Sequence, residues 1–377
     1  MSAGAPRIAL LHDELTRRGG AEIVLEELIR TFPDADIFAL YAGQPSIVVD
    51  GRRYTVCTSF LQRFPRWFRY HPRRLLPLLS TAAEQFDLSS YDIVLTSASG
   101  FAKAVVTRVA VPHICYCHTP TRYLWDSTHE VVLQHPVLIG WLAKIVLHYL
   151  RLADFAAAQR VDVFVANSFY TAARIHKYYR RRSTVVYPPI DTAFYTPSPG
   201  AFSSSAANSY FLCVGRLTTS KRFDQAIRVC EKLRFPLVVV GIGPQLQQLR
   251  RLTGSTTRLM GWVSAEKLRK LYRNARALLQ PGTEDFSMAC AEALACGTPV
   301  IAYGRGGAQE VVVPGESGVL YWEPHEEMLA EAIRQFLLHG ALWQREKLQQ
   351  SVLKFTRQRF RDRMHAIVDD ALSATQV

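Results

Sequence analysis

Cysteine is scarce in this chain, seven in 377 residues, which excludes a disulfide scaffold. The odd number and the mostly apolar surroundings predict reduced, buried thiols. Cys115-x-Cys117 is tighter than a zinc hairpin and has no accompanying Cys or His pair, so it reads as structural. No apolar run reaches the ~20 residues that a spanning helix needs. The most apolar stretch, residues 136–150, is interrupted by Lys144 and His148 and predicts a core helix or one lying on a membrane surface. The first residues lack a cationic start followed by a long apolar core, so no signal peptide and a cytoplasmic location are expected. Neither a Walker loop nor a dinucleotide fingerprint occurs: Gly241-Ile242-Gly243-Pro244 would need glycine at 246, which is Leu. A zinc finger, an RNA-recognition signature and a heptad-linked basic region are also missing, so nucleic acid is not the expected partner.

What is present describes a globular protein. Hydrophobic residues make up 49% and charged residues 20% of the chain, and at ~100–200 residues per domain the length predicts two domains. The formal charge is +13. Between positions 51 and 83 there are seven arginines (52, 53, 63, 66, 69, 73 and 74) and no acid. Phe60, Leu61, Phe64, Trp67, Phe68 and Tyr70 lie among them, a mixture that suits an anionic membrane surface. A solvated basic face whose aromatics belong to the core fits the same residues. The basic run 354–363 reads as a solvated helix face.

Apolar strand-like runs alternate with amphipathic stretches, the pattern of parallel α/β architecture. Strands are expected at 7–11, 37–40, 93–96, 113–117 and 163–167, then at 210–214, 237–241, 259–261, 277–280 and 299–302. The uncharged, Pro- and Ser-rich stretch 196–209 reads as a linker. This predicts two doubly wound Rossmann-like parallel-sheet domains facing across a cleft: 1–195, and 210–350 followed by a helix at 351–377 that crosses back to the first. In such sheets ligands bind beyond the carboxyl ends of the strands.

The loops after the strands carry the chemistry. Gly215-Arg216-Leu217-Thr218-Thr219-Ser220-Lys221 sets two cations before a helix, as a diphosphate site would. Gly241 and Gly243 follow the next strand, where glycine lets backbone approach a ligand. In residues 281–301, Glu284 and Glu292 flank the amides of Phe286, Ser287 and Met288 at a helix start. Hydroxyl acceptors on either side of anion-binding donors describe a nucleotide-sugar site. Asp34-Ala35-Asp36 spells a metal-binding D-x-D but precedes a strand in a surface-like turn, and reads as incidental.

These motifs resemble the retaining GT-B glycosyltransferases of family four, the group that includes sucrose synthase and bacterial lipopolysaccharide and phosphoinositide mannosyltransferases. The resemblance runs through GRLTTSK, VGIGP, the Glu-x7-Glu block, ACGTPVIA and GGAQE, and in the first half through Gly19-Gly20-Ala21-Glu22. Residues 114–126, ICYCHTPTRYLWD, with the later VANSFYTAARI and VVYPPIDTAFY, resemble the O-antigen and exopolysaccharide mannosyltransferase branch. The likeness implies that Arg216 and Lys221 hold and neutralise the donor diphosphate beside Gly215, and that Glu284 binds the donor sugar. It implies that Glu292 binds the ribose, that the amides of Phe286 to Met288 cap the distal phosphate, and that Val263 and its loop flank the base. Gly19 and Gly20 would close over the phosphates, with His118 near the reacting carbon and Gly243 lining the donor.

The activity so implied is retaining, metal-independent transfer of mannose from GDP-mannose, without cofactor, to a polyprenyl-diphosphate-linked saccharide or polysaccharide in bacterial surface-polysaccharide synthesis. The enzyme would sit peripherally on the inner face of the cell membrane. Asp285, Ser287 and Ala289-Cys290 depart from residues common in relatives. A GT-B nucleotide-sugar 2-epimerase and a non-catalytic nucleotide-sugar or nucleic-acid binder are the competing readings.

Overall fold

The computed structural model describes residues 6–65, 75–126, 137–198, 210–338 and 343–375. Arg66, Trp67, Phe68, Arg69, Tyr70, Arg73 and Arg74, and residues 199–209 of the expected linker, lie outside the described residues. The chain forms two units, Met1–Pro189 with Phe360–Val377, and Ile190–Arg359.

The first unit is built on β1 (Ile8–Leu15), β2 (Asp36–Ala42), β3 (Ser46–Val49), β4 (Arg52–Thr58), β5 (Ile93–Ala98), β6 (His113–Cys117), β7 (Val163–Ala166) and β8 (Ser183–Val185). Their order is β3-β4-β2-β1-β5-β6-β7-β8, parallel except for the β3–β4 hairpin. Successive side chains of a strand point to opposite faces, and β1 shows it: Ile8 and Leu10 join one core, Ala9 and Leu11 the other. The first core takes Val24, Leu25, Leu28 and Ile29 from the helix Gly20–Thr31. It also takes Phe360, Met364, Val368 and Ala371 from the closing helix Arg357–Thr375, spaced as one helical face. The second core takes Leu147, Leu150, Ala157 and Ala158 from the helix Val137–Gln159. Val146, Tyr149 and Leu152 of that helix are exposed. No helix among the described residues is long and apolar enough to cross a membrane.

The second unit is a fully parallel sheet of β9 (Tyr210–Val214), β10 (Leu237–Val240), β11 (Thr257–Gly261), β12 (Ala275–Gln280), β13 (Val300–Tyr303) and β14 (Gly318–Tyr321). Its order is β11-β10-β9-β12-β13-β14. Every strand expected from the sequence is present; β3, β4, β8 and β14 were not expected.

Two boundaries differ from the sequence reading. Residues 190–198 belong to the second unit rather than to the first domain and linker. Asp191 pairs with Arg357 at 3.1 Å, Arg269 lies 4.3 Å over the Phe194 ring, and Arg273 donates to the Thr196 carbonyl at 2.6 Å. Residues 351–359 also stay with the second unit, where Phe355 packs edge-on against Phe286. Of the basic segment, Arg52 pairs with Asp34 and lies over Tyr54, while Leu61 is buried and Phe60 and Phe64 pack on the core. Asp34 is thus occupied by Arg52, and Asp36 accepts from the Tyr91 hydroxyl at 2.8 Å.

The deepest polar contact of the first unit joins Lys103 to Asp154, Nζ to Oδ1 at 2.6 Å, both fully enclosed. Asp154 also accepts from Thr121, Trp125 and Tyr179, and Lys103 donates to the Gly100 carbonyl. Burial pulls the Lys103 pKa down, but the Asp154 charge and hydrogen bond outweigh it and hold it above the ordinary value. Removing one partner leaves an uncompensated buried charge, so Asp154→Ala is expected to cost about 3–5 kcal/mol. Urea unfolding of the variant checks this, and a loss near that of a surface pair, ~0–1 kcal/mol, would contradict it.

Candidate active site

In the second unit the strand order reverses between β9 and β12, so the loops leaving their carboxyl ends diverge and open a crevice there. The loop after β9 holds Gly215, the exposed Arg216 and Lys221; the loop after β12 holds residues 281–287. They press together: a Cβ on Gly282 would fall 2.1 Å from the Ser220 carbonyl oxygen. Across this contact Lys221 Nζ sits 2.6 Å from Glu284 Oε1, an oxygen that Gln280 Nε2 also approaches at 3.5 Å. The loop after β13 supports Glu284 from behind, the Gly307 amide donating to its carbonyl at 2.8 Å. The sequence-predicted Gly215, Lys221 and Glu284 are therefore together.

Gly243 also has a structural reason of its own. Leu217 donates to the Ile242 carbonyl and Gln245 to the Leu217 carbonyl, so a Cβ on Gly243 would meet Leu217 O at 2.4 Å. The glycine lets two loops touch. Gly241 in turn donates to Gly261, which leads into the exposed Trp262 and the partly buried Val263.

Ser287 precedes the helix Met288–Ala295 in a left-handed conformation (φ 75°, ψ 69°) that favours glycine, which explains why its identity stood out as a departure. Its hydroxyl donates to Cys290 Sγ at 3.0 Å. The first amides, at Ser287 and Met288, have no carbonyl partner among the described residues and are available as anion donors. Phe286 is buried against Phe355. Glu292, on the same helix, is enclosed, and Tyr272 donates to its Oε2 at 2.9 Å. Burial pushes this carboxyl up to about 7, with the Tyr272 hydrogen bond pulling the other way.

The first unit has its own reversal between β1 and β5, and a polar cluster occupies it. Asp13 accepts from the amides of Ser99, Gly100 and Ala102 at 2.5–2.9 Å, tying the loop after β1 to that after β5. His118 follows β6 directly and is buried; its Nε2 lies 2.8 Å from Ser97 Oγ, which lies 3.0 Å from His12 Nδ1. Burial, helped by the neighbouring His12, pushes the His118 pKa down to about 3 despite Glu22, so the imidazole is neutral. Glu22 Oε1 is 3.8 Å from His12 Nε2, while its Oε2 accepts from the Gly19 amide at 2.7 Å. Burial raises the Glu22 carboxyl, but the hydrogen bond and charge of His12 and the amides of Glu22 and Gly19 outweigh it and hold it below its ordinary value. Gly19 and Gly20 are exposed at the start of this helix. Sequence reasoning missed His12, Asp13, Glu22 and Ser97 as site residues; the signal was the polar HDE that breaks the apolar run of β1. Among the described residues no group of three or more His, Cys, Asp or Glu side chains could hold a metal ion.

Solved structures with the same two-sheet architecture cover nearly the whole chain. Sucrose-phosphate synthase from Thermosynechococcus elongatus matches with a TM-score of 0.73 at 16% identity, over 98% of this chain and 100% of that one. Anabaena HepE in complex with UDP-glucose matches at 0.68 and 17%, over 96% and 99%. The fold is GT-B. Residues 18–194 match Glycosyltransferase Family 4 and residues 202–355 match Glycosyl transferases group 1, and the chain belongs to these glycosyltransferases. Among curated relatives, the GDP-mannose-dependent alpha-(1-6)-phosphatidylinositol monomannoside mannosyltransferase of Mycobacterium tuberculosis is 26% identical over 250 residues, 58% of this chain and 63% of that protein. The D-inositol 3-phosphate glycosyltransferase of Mycobacteroides abscessus is 29% identical over 198 residues, 48% of this chain and 45% of that protein. The match spans about half the length of these relatives.

The raised Glu292 pKa makes stability depend on pH. The folded state holds this proton more tightly than the unfolded chain does. Its stabilising effect is complete below the unfolded value of 4.5 and is lost as pH rises through about 7. Between pH 5 and pH 8 the protein is therefore expected to lose up to about 3 kcal/mol relative to Glu292→Gln, at ~1.4 kcal/mol per pKa unit. Urea midpoints of both proteins at the two pH values measure the difference, and parallel pH dependence would refute it.

Proposed function

We propose that the protein transfers a hexose from a nucleotide-sugar donor to a saccharide acceptor. The observation that carries this reading is the Lys221–Glu284 contact at the β9/β12 reversal, beside open amides at a helix start. A cation and a carboxylate that neutralise one another offer two functions to a donor. The diphosphate competes for Lys221, with Arg216 in the same loop, and Glu284 is released to accept from sugar hydroxyls. As the glycosidic bond breaks, negative charge grows on the leaving diphosphate, and Lys221, Arg216 and the amides of Ser287 and Met288 stabilise it without needing a metal. Retention follows if the acceptor hydroxyl attacks from the face that the diphosphate leaves, its proton passing to a phosphate oxygen. Glu284, already engaged with Lys221, then has no nucleophilic role to fill.

Mannose from GDP-mannose is the donor we favour, because a mycobacterial relative matched over 58% of this chain is named for it. The acceptor in this reading is a polyprenyl-diphosphate-linked saccharide or polysaccharide of the bacterial surface, met at the inner face of the membrane. The arginine-rich segment, with exposed Val146, Tyr149 and Leu152, supports peripheral attachment there.

Incubation with GDP-mannose, UDP-glucose, UDP-galactose or dTDP-rhamnose and extracted polyprenyl-diphosphate saccharides, with the product anomer read by NMR, tests the reading. GDP-mannose is expected to give an α-mannoside, and release of free epimerised sugar nucleotide would favour an epimerase. Lys221→Ala and Glu284→Ala are each expected to lower transfer at least ~10²-fold, as loss of a charge-stabilising group does, with unchanged thermal unfolding. Near-normal turnover in both variants would sink the assignment. Changing Arg66, Arg69 and Arg73 to Gln is expected to weaken sedimentation with anionic liposomes more than with neutral ones. An equal partition before and after would remove the membrane reading.

A further inference from the structure

Ser168, Ser264 and Ser287 each stand directly before a helix, and the first two behave as serine does there. Their backbone is extended, and their hydroxyls accept from the amides three residues on, Thr171 at 3.0 Å and Lys267 at 3.4 Å. Ser287 makes no such cap. Its backbone is left-handed (φ 75°, ψ 69°), and its Oγ lies 3.0 Å from Cys290 Sγ instead. The Ser287 carbonyl accepts from the Cys290 amide at 3.1 Å, so the two residues meet through both backbone and side chain. Both are buried. Whichever group supplies the proton, the contact keeps Oγ away from the amides of the first turn. The other non-glycine residues of positive φ, Asp50, Arg180, Arg222 and Arg234, turn a hairpin or close a helix, where left-handed backbone is common. At Ser287 the conformation has a different effect. Its φ and ψ set the angle between the peptide planes on either side, and hence between the amides of Ser287 and Met288. Extended dihedrals point neighbouring amides to opposite sides, whereas helical dihedrals of either hand turn them to one side, as an anion requires.

We propose that Ser287 and Cys290 are a positioning pair whose side-chain contact holds residue 287 left-handed, so that the amides of Ser287 and Met288 face one phosphate group together. The pair shapes the site of Lys221 and Glu284 described above and adds no second one; only the identity of that phosphate as part of a sugar donor rests on the transfer reading. Glycine would leave both hands of backbone open at this position, and the pair fixes one of them while turning the serine side chain into the protein, clear of the ligand. The thiol suits the task. Burial pushes its pKa up to about 12, so it stays uncharged and does not repel an anion, and it lies near enough to Glu284 and Lys221 to feel both charges.

Titration calorimetry of the full chain with inorganic pyrophosphate and with GDP tests the pair, thermal unfolding confirming that each variant is folded. Ser287→Ala keeps the strain and loses the contact, whereas Ser287→Gly enters the left-handed region freely. The alanine variant is therefore expected to bind both ligands about tenfold more weakly than the glycine variant, the size of shift that one strained left-handed residue supplies. A role in packing alone predicts the reverse order, since alanine is nearer to serine in volume. Cys290→Ala is expected to weaken binding about tenfold on its own, yet by less than about threefold when added to Ser287→Gly, because glycine needs no partner. Equal affinities of the Ser287→Ala and Ser287→Gly proteins, or a Cys290→Ala loss of the same size in both backgrounds, would overturn the proposal. So would a wild type that binds neither pyrophosphate nor GDP. Pyrophosphate affinities in the expected order from a protein that transfers no sugar would sink the transfer reading and uphold the pair, and sugar transfer with Ser287→Ala and Ser287→Gly binding alike would do the opposite.

Discussion

A parallel strand can be followed by its neighbour only after the chain crosses back along a face of the sheet, so within each sheet the carboxyl-end loops of the parallel strands leave from the same edge. Where the order of strands reverses, two such loops must part, and no backbone is available to fill the gap. Both units put their most unusual side-chain contacts there. In the second unit the gap between β9 and β12 is bridged by Lys221 and Glu284; in the first, that between β1 and β5 is bridged by Asp13 and the His12–Ser97–His118 row. The rest of each unit, the apolar faces and the helices that cover them, holds those loops to within hydrogen-bonding distance.

Such positions were legible in the sequence to unequal degrees. The second unit was the easier, because Arg216, Lys221, Glu284 and Glu292 each lie close behind an apolar strand and a local pattern reveals them. The first unit builds its cluster from residues 85 and 21 positions apart, His12 with Ser97 and Ser97 with His118. A serine at the end of a buried strand carries no mark of that pairing. The same holds for Lys103 and Asp154, separated by 51 residues. Three of the four strands that escaped notice share a different cause. β8 spans three residues and β3 four, and β4 carries Arg52, Arg53 and Tyr54 on a mostly exposed hairpin at the sheet edge, so each lacks the continuous apolar run that marks a buried parallel strand. The domain boundary slipped for a related reason: residues 196–198 read as linker by composition and 190–195 as part of the first domain, whereas Arg269, Arg273, Arg357, Tyr272 and the Phe355 carbonyl fasten them to the second unit.

Glycines in the motifs also came to mean something more specific. Gly243 and Gly282 are demanded by backbone that would otherwise collide, Leu217 in one case and Ser220 in the other. They assemble the loops before any ligand arrives. Ser287 is the counterexample, a side chain holding a left-handed conformation at the start of the helix Met288–Ala295. Conformations of this kind cost ~1–3 kcal/mol and persist where surrounding structure enforces them; here the hydroxyl bonded to Cys290 and the buried Phe286 supply that enforcement.

The two clusters differ in the electrostatic problem each solves. A diphosphate carries formal charge, and a half-buried ammonium beside a carboxylate can meet it by exchanging one anion for another, with little change in the net charge of the site. An uncharged hydroxyl-bearing ligand offers no such exchange, and a charged imidazole would favour anions instead. Burial pushes His118 to about 3 and removes that charge at neutral pH. Neutrality alone does not decide whether the ring gives or accepts a hydrogen bond, since either nitrogen can hold the proton. A charged pair at the β9/β12 reversal and a neutral imidazole beside the β1/β5 reversal therefore leave two sheets of one kind with chemically unlike clusters.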